Sequence, residues 1–206
     1  MAHGGKGLPM TSSTIRLYAF LGNYGSEFSR NRHNVAWQFL ETLPIYGELT
    51  WTRKFKGLYA SRDINGERIF FLKPETYMNN SGESIVELVR FFRLEPQEVM
   101  AVHDELEMPF GSFGFKFSGG LGGHNGLRSM EKHLGTRDFA RLRFGIGRPE
   151  HPDVAGYVLS DFTPVEQEIL QTAVFPQAGQ AFMECLEQGF ESVVDKYKKK
   201  ICIQTV

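Results

Sequence analysis

Hydrophobic positions along the chain alternate between runs typical of buried strands and spacings typical of amphipathic helices. Residues 14–22 (TIRLYAFLG) form an apolar run that predicts a buried strand, ended by the turn-forming residues 22–25 (GNYG). Apolar residues then recur at helical spacing from Val35 to Leu43, and Pro44 predicts the end of that helix. In α/β proteins, such a turn lies at the carboxyl edge of the sheet, where ligands bind.

The middle of the chain predicts a hairpin followed by a second helix. Residues 57–64 (GLYASRDI) and 68–74 (RIFFLKP) have the composition of strands, and the Asn65-Gly66 pair between them is a strong hairpin signal. The next helix has its apolar positions spaced i, i+3, i+4 and i+7. These positions are Ile85, Leu88, Val89 and Phe92.

The second half repeats the alternation of strands and helices. Strands are predicted at residues 98–103 (EVMAVH), 113–118 (FGFKFS) and 141–147 (RLRFGIG), and a helix from Leu127 to Leu134 separates the last two. Because one hairpin interrupts an otherwise regular alternation, the sequence predicts an α/β fold with a mixed sheet.

The two ends of the chain differ from its middle. Residues 1–13 are small and glycine-rich, which predicts a flexible leader or an expression remnant. Residues 14–199 contain no repeat or linker and are expected to form one domain, with residues 200–206 as a C-terminal tail. The lysines 198–200 are expected in the last turn of a short helix, where they favour the negative end of the helix dipole.

Residues 164–199 are expected to form a helical cover over the cleft. Residues 163–166 (TPVE) have the pattern of an N-cap, a first-position proline and a capping-box glutamate. The helix that follows is expected to bend near Pro176 and to end at Gly189.

Composition changes this picture only by narrowing the class of protein. With 206 residues, 41% of them hydrophobic and 23% charged, the chain fits one globular domain and excludes a disordered or fibrous protein. It has no apolar run of membrane-spanning length and no secretory signal, which predicts a cytoplasmic protein without a membrane partner.

Charge and glycine are distributed unevenly. The formal net charge of −1 argues against a nucleic-acid partner when taken as an average. However, residues 111–148 contain seven basic and two acidic residues and also ten of the 22 glycines. Residues 1–34 contain four basic residues and one acidic residue. Two segments of the chain are therefore basic.

The cysteines and histidines give little support for a metal or a disulfide. Cys185 and Cys202 lie 17 residues apart outside any CxxC pattern, and the six histidines show no HExxH or HxxxH spacing. We expect free thiols in a reducing compartment, no metal and no cofactor.

Candidate chemistry lies where predicted strands end. Turn glycines, carboxamides and a titratable group occur together in residues 22–34, 77–82 and 122–126, and carboxylates follow the strand at residues 103–106. Singly, each has an ordinary explanation, such as a turn asparagine, a solvated acid or a structural histidine. Together they suit hydrolysis of an activated acyl bond, because a neutral histidine paired with a carboxylate activates water and carboxamides hold a carbonyl without buried charge.

Six motifs, in order and with matching spacing, resemble the bacterial-type peptidyl-tRNA hydrolases over about residues 15–189. They are residues 21–23 (LGN), 31–34 (NRHN), 73–79 (KPETYMN), 103–106 (HDEL), 122–127 (GGHNGL) and 141–147 (RLRFGIG). The resemblance implies a single α/β domain, with a twisted mixed sheet sandwiched between helices. It also implies cleavage, without a metal, of the ester that joins a peptide to the 3′ ribose of tRNA.

The resemblance also implies roles for particular residues. His33 would be the base that activates water, and Asp104 would orient the His33 ring. Asn23 would complete the catalytic set. The remaining matching positions would bind the substrate. They are Asn79, Asn125, His124, Phe28, Tyr77, Lys116 and Arg143. The last two, a basic pair, would bind the 5′-phosphate of tRNA. The implied partner is the acceptor stem and 3′ end of peptidyl-tRNA, bound by a monomer without an obligate protein partner.

Four positions depart from the family pattern. Tyr24 stands where many members have Pro, Phe28 where they have Tyr, and Asn31 where they have Ser or Thr. Gly114 stands where some relatives carry another basic residue, which predicts a weaker phosphate clamp. Phe28 keeps a stacking face but loses a hydroxyl.

Two other functions are consistent with parts of the pattern. A non-catalytic RNA-binding relative, of the kind that serves splicing in organelles, would share the fold but need not retain His33 and Asp104. A nucleotide-dependent α/β enzyme would use the turn after the first strand, but GxGxxG and a ribose-binding acid are missing. Lys116 and Arg143 also allow a simple interpretation as solvent-facing strand residues.

Overall fold

A computed structural model describes residues 14–149 and 152–203, and within them the chain forms one eight-stranded sheet. The strands are β1 (Leu17–Phe20), β2 (Thr52–Lys54), β3 (Gly57–Ile64), β4 (Glu67–Pro74), β5 (Val99–Glu105), β6 (Ser112–Phe117), β7 (Ala140–Gly145) and β8 (Lys200–Ile201). Their order across the sheet is β2-β3-β4-β1-β5-β7-β6-β8. The neighbouring pairs among β4, β1, β5 and β7 are parallel and every other neighbouring pair is antiparallel, so the mixed sheet is confirmed.

Helices connect the strands and cover both faces of the sheet. They are α1 (Val35–Thr42), α2 (Ser81–Phe92), α3 (Asn125–Leu134), α4 (Val154–Leu159), α5 (Pro164–Ile169), α6 (Phe175–Gln188) and α7 (Glu191–Val194). Short 3₁₀ turns at Arg32–Asn34 and Met78–Asn80 precede α1 and α2. No helix among the described residues is long and apolar enough to cross a membrane.

Two apolar cores lie on opposite faces of the sheet, because successive side chains of a strand point to opposite sides. From β1, Phe20 packs against the ring of Phe182 in α6, and Phe182 in turn contacts Phe39 in α1. Its neighbour Ala19 belongs to the other core, with α2 and α3. The expected arrangement of a sheet between helices is therefore confirmed.

The predicted Asn65-Gly66 hairpin is present. Ile64 and Glu67 are paired across it, which leaves a two-residue turn. Asn65 and Gly66 both have positive φ, at 52° and 85°, as the mirror-image turn that matches strand twist requires.

The C-terminal helices begin and end where the sequence predicts. Thr163 and Glu166 form the expected reciprocal capping box at the start of α5. A π-helical segment (Leu170–Val174) joins α5 to α6, with Pro176 in the first turn of α6. Gly189 follows the last residue of α6 with φ of 89°, a value that favours glycine.

The expectation that lysines 198–200 lie in a helix is wrong. The helix α7 ends at Val194, and Lys200 belongs to β8, where it pairs with Phe113 of β6. The open edge of β6 provides backbone donors and acceptors that a helical end would not satisfy. The strands β2 and β8 were not predicted, because two or three residues are too few to show a period.

Candidate active site

The candidate residues converge at one edge of the parallel strands. Asn23 follows β1, Asp104 lies near the end of β5, and Asn79 follows β4. Because β4, β1 and β5 are parallel neighbours, their carboxyl ends meet at the same edge. The 3₁₀ turn before α1 places His33 at this edge, and the start of α3 brings His124.

His33 and Asp104 form a buried hydrogen-bonded pair. The Nδ1 atom of His33 lies 2.8 Å from Oδ1 of Asp104, and both side chains are almost completely buried. Burial opposes ionisation of Asp104, but the facing imidazoles of His33 and His124 outweigh it and hold its pKa well below the usual range. The ionised carboxylate therefore accepts the Nδ1 proton, which leaves Nε2 as the basic nitrogen of His33.

The surroundings of His33 also change its own proton affinity. Burial lowers the pKa of His33, but the Asp104 charge and hydrogen bond together raise it above its ordinary value. A raised pKa makes the neutral imidazole a stronger base once it forms.

A second histidine donates to the same carboxylate oxygen. Nδ1 of His124 caps α3 by accepting from the amides of Gly126 and Leu127, at 3.1 and 3.3 Å. Its proton therefore resides on Nε2, which lies 3.0 Å from Oδ1 of Asp104. We expected His124 to bind the substrate, but its bond to Asp104 was not predicted.

A third histidine, His103, is buried behind this pair. Its Nδ1 atom donates to the backbone carbonyl of Asp104 at 2.6 Å, and its ring lies edge-on to His124. Burial, followed by the nearby His124, keeps its pKa well below the ordinary value, so His103 is neutral. Within the described residues, its buried Nε2 atom has no hydrogen-bond partner.

Asn23 is oriented by three hydrogen bonds, and its side-chain Nδ2 group donates to no residue in the described part of the chain. Its backbone exchanges two bonds with the side chain of Asn34, at 2.8 and 2.9 Å. Its Oδ1 atom accepts from the amide of Met78 at 2.7 Å. The Nδ2 group is then a donor directed by a fixed side chain, which suits a substrate carbonyl. Asn34 was noted only as part of a motif, so its supporting role was missed.

Of the remaining candidates, Tyr77, Asn79 and Asn125 adjoin residues of the site and form its rim, and Phe28 belongs to the segment between Asn23 and His33. Asn79, Asn125 and Tyr77 are exposed, whereas Phe28 is half-buried in a 3₁₀ turn. The helix α3 lies close to the turn that carries Asn79. Gly126 allows this approach, because a Cβ atom at position 126 would lie only 2.6 Å from Sδ of Met78. The two rim asparagines therefore belong to adjoining segments.

The basic candidates lie farther along the sheet. Lys116 and Arg143 are half-buried on the neighbouring strands β6 and β7. Arg141, which the sequence did not single out, is fully buried between them and donates to the carbonyls of Gly119 and Gly120. Its burial lowers its pKa to about 10. Arg141 thus holds the glycine loop against the sheet.

His33, Asp104 and His124 also have the spacing of a metal-ligand group, with their polar atoms within 4.8 Å of one another. The hydrogen bonds assign a proton to the nitrogen of each imidazole that faces Asp104. A metal ion there would require both imidazoles to lose or move these protons. The donor set therefore fits a proton network better than a metal centre.

Comparison with known proteins agrees with this geometry. The sequence model of a family described as peptidyl-tRNA hydrolase matches residues 17–204. A peptidyl-tRNA hydrolase of Treponema pallidum is 45% identical over 179 residues, which cover 84% of this chain and 86% of that protein. One from Citrifermentans bemidjiense is 43% identical over 164 residues, covering 77% of this chain and 87% of that protein.

A solved structure extends the agreement to the fold. The crystal structure of peptidyl-tRNA hydrolase from Acinetobacter baumannii superposes with a TM-score of 0.79 at 36% identity, covering 86% of this chain and 91% of that one. The range matched by the sequence model, residues 17–204, spans the sheet and the positions of the candidate residues. The chain belongs to the peptidyl-tRNA hydrolase family.

Proposed function

We propose that this protein hydrolyses the ester bond of peptidyl-tRNA and releases free peptide and free tRNA for reuse in translation. The observation that carries the proposal is the buried His33–Asp104 pair, which leaves a basic Nε2 atom at the site. Family membership supplies the substrate class, and the pair supplies the means of activating water.

In the proposed reaction, Nε2 of His33 removes a proton from water as the water oxygen attacks the ester carbonyl carbon. The C–O double bond becomes a single bond, and the negative charge on its oxygen is stabilised by the Nδ2 group of Asn23. The intermediate then collapses, the bond to the 3′ ribose oxygen breaks, and that oxygen takes the proton from His33. Asp104 stays ionised and stabilises the imidazolium between the two steps.

The rim and the basic strands would hold the substrate. The three asparagines Asn23, Asn79 and Asn125 would together hold the peptide main chain, the acceptor end of the tRNA and the attacking water. The aromatic faces of Phe28 and Tyr77 would stack against the 3′ end. Lys116 and Arg143 would bind the 5′-phosphate.

Within the expected cover of residues 164–199, the contacts support α5 as the part that lies beside the cleft. The helix α6 packs in the core through Phe175 and Phe182. The start of α5 instead contacts the loop that carries His33, through Glu166 and Arg32. We propose that α5 borders the cleft.

We also propose that the protein works as a monomer in the cytoplasm.

The deciding experiment is hydrolysis of N-acyl-aminoacyl-tRNA, with free aminoacyl-tRNA spared. His33→Ala should abolish turnover while folding and tRNA affinity remain, because only the base is removed. Near-normal turnover in that variant would overturn the mechanism. The non-catalytic RNA-binding alternative expects tRNA binding without cleavage in the unmodified protein.

A further inference from the structure

The C-terminal segment of the chain lies along the free edge of β6. Lys200 pairs with Phe113, and the amide of Phe115 donates to the carbonyl of Tyr197 at 2.8 Å. A Cβ atom at Gly114 would overlap the carbonyl of Lys198, so glycine is required for this close approach. The missing side chain at position 114 is therefore replaced in space by the backbone of the C-terminal segment.

This arrangement brings three lysines next to the basic strands. The Nη2 atom of Arg143 donates to the carbonyl of Lys198 at 3.0 Å. The pKa of Lys116 is lowered mainly by burial, then by Arg143 and Arg141, with a further contribution from Lys198. Lys198 thus lies within electrostatic range of Lys116.

The lysines of this segment are exposed and electrostatically uncompensated. Lys198, Lys199 and Lys200 are all exposed, and none of them forms an ion pair with an acid in the described part of the chain. By contrast, Lys196 next to them is paired with Glu184 at 2.7 Å. The segment therefore presents free positive charge on the same edge of the sheet as Lys116 and Arg143.

We infer that residues 198–200 form a further phosphate-contact surface, which binds the sugar-phosphate backbone of the tRNA substrate beside the site of Lys116 and Arg143. This inference rests on the proposed function and names a second part of the same substrate. Flexible ammonium groups match phosphodiester charge without reading bases, so the contact is independent of tRNA sequence. It also supplies the charge that Gly114 lacks.

The contact should affect binding rather than chemistry. Each lysine that neutralises a phosphate releases bound counterions, which gives tRNA affinity its dependence on salt. Lys200 begins β8 and the other two lysines immediately precede it, and three strands (β7, β6 and β8) follow β5 toward that side of the sheet, away from His33. Removal of their charge should therefore raise KM and leave kcat unchanged.

The test compares two triple variants with the same change in net charge. Lys198, Lys199 and Lys200 are replaced by Gln in one variant, and Arg68, Arg90 and Arg93 in the control. The control residues are exposed and lie toward the opposite edge of the sheet, near the start of β4 and the end of α2. Dissociation constants for deacylated tRNA are measured at several salt concentrations, together with kcat and KM on N-acyl-aminoacyl-tRNA.

In the lysine variant, the slope of log affinity against log salt should fall by about 2–3, because each lost phosphate contact removes roughly one unit. The control should keep the slope of the unmodified protein. In a third variant, Lys198, Lys199 and Lys200 are replaced by Arg. This variant keeps the positive charge and should keep the slope of the unmodified protein, which separates an effect of charge from a loss of folding at β8.

An unchanged slope in the lysine variant, or an equal change in the control, would overturn the inference while leaving the proposed function intact. A protein that binds tRNA but cleaves no ester would instead contradict the proposed function, and the slope comparison would still decide the role of the lysines. Failure of the unmodified protein to bind tRNA would overturn both.

Discussion

The guanidinium of Arg32 is held by the carboxylate of Glu166, with Nη2 lying 3.0 and 2.7 Å from its two oxygens. Arg32 immediately precedes His33, and its side chain is almost fully buried over the ring of Tyr157, 4.5 Å from the ring centroid. It also donates to Oγ of Ser160 at 2.8 Å. The proposed base is thus anchored to the first turn of α5 by its neighbour in the chain.

Breaking this pair should cost both stability and turnover. Arg32→Ala leaves the half-buried Glu166 without its ion-pair partner and removes a packed guanidinium, which should destabilise the fold by about 1–3 kcal/mol. Thermal unfolding should show this loss, and kcat should fall because the turn that carries His33 loses its support. Arg32→Lys keeps the charge that pairs with Glu166 but lacks the second nitrogen that donates to Ser160, so it should recover part of each.

Arg137→Ala is the matched control, because Arg137 forms an exposed pair with Glu131. Loss of an exposed pair costs at most about 1 kcal/mol. If Arg32→Ala unfolds at the same temperature as this control, the anchoring role is refuted.

The pH dependence of turnover should reflect the His33–Asp104 pair. Because the pKa of His33 is raised, the acidic limb of kcat/KM should lie above the ordinary histidine value of about 6.5. Asp104→Asn removes the charge that raises this pKa and offers an amide that donates to Nδ1, which moves the proton to Nε2. Turnover should fall by about 10²–10⁴, and the remaining acidic limb should shift to lower pH. An unshifted limb in this variant would show that another group titrates.

The same pair should make folding stability depend on pH in two windows. The pKa of Asp104 is lowered in the folded state, so its contribution is complete above the unfolded value of about 3.9 and is lost as pH falls through the folded value. The pKa of His33 is raised, so its contribution is complete below about 6.5 and is lost as pH rises through the folded value. Denaturant unfolding at pH 3 to 9 measures both, and both dependences should weaken in Asp104→Asn.

The two bonds of His124 should be separable by substitution. His124→Asn keeps a good N-cap for α3 but is too short to reach Asp104, so stability should change little while turnover falls. His124→Ala also loses the cap, which should cost about 1 kcal/mol more. His133→Ala, in the last turn of the same helix, should leave turnover unchanged. Equal turnover in His124→Asn and the unmodified protein would limit His124 to capping.

The turns, caps and helices that the sequence predicted correctly depend only on residues that are close together in the chain. The Asn65-Gly66 turn, the capping box of Thr163 and Glu166, and the helical spacing from Ile85 to Phe92 depend on residues a few positions apart. The chain motifs around His33 and Asp104 also identified the family, although the two residues lie 71 positions apart.

Contacts between distant segments were not predictable in this way. Whether His124 bonds to Asp104 depends on how α3 begins beside β5. Whether Arg141 holds the glycine loop depends on the pairing of β7 with β6, which places Arg141 opposite Lys116. The lysines near the C-terminus look like a helix end, yet they lie along a sheet edge. The unpaired backbone of β6 prevailed there over the helix propensity of the lysine segment, which is weak because so short a helix is marginal by itself.

The sequence by itself determined the alternation of strands and helices, the turns, and the family to which the chain belongs, because these follow from residue types and spacings along the chain. Only the tertiary structure decided the proton positions on His33 and His124, the anchoring of Arg32 by Glu166, and the placement of the lysines beside Arg143. Burial and charge act between groups that the fold brings together, and neither can be read from separation along the chain.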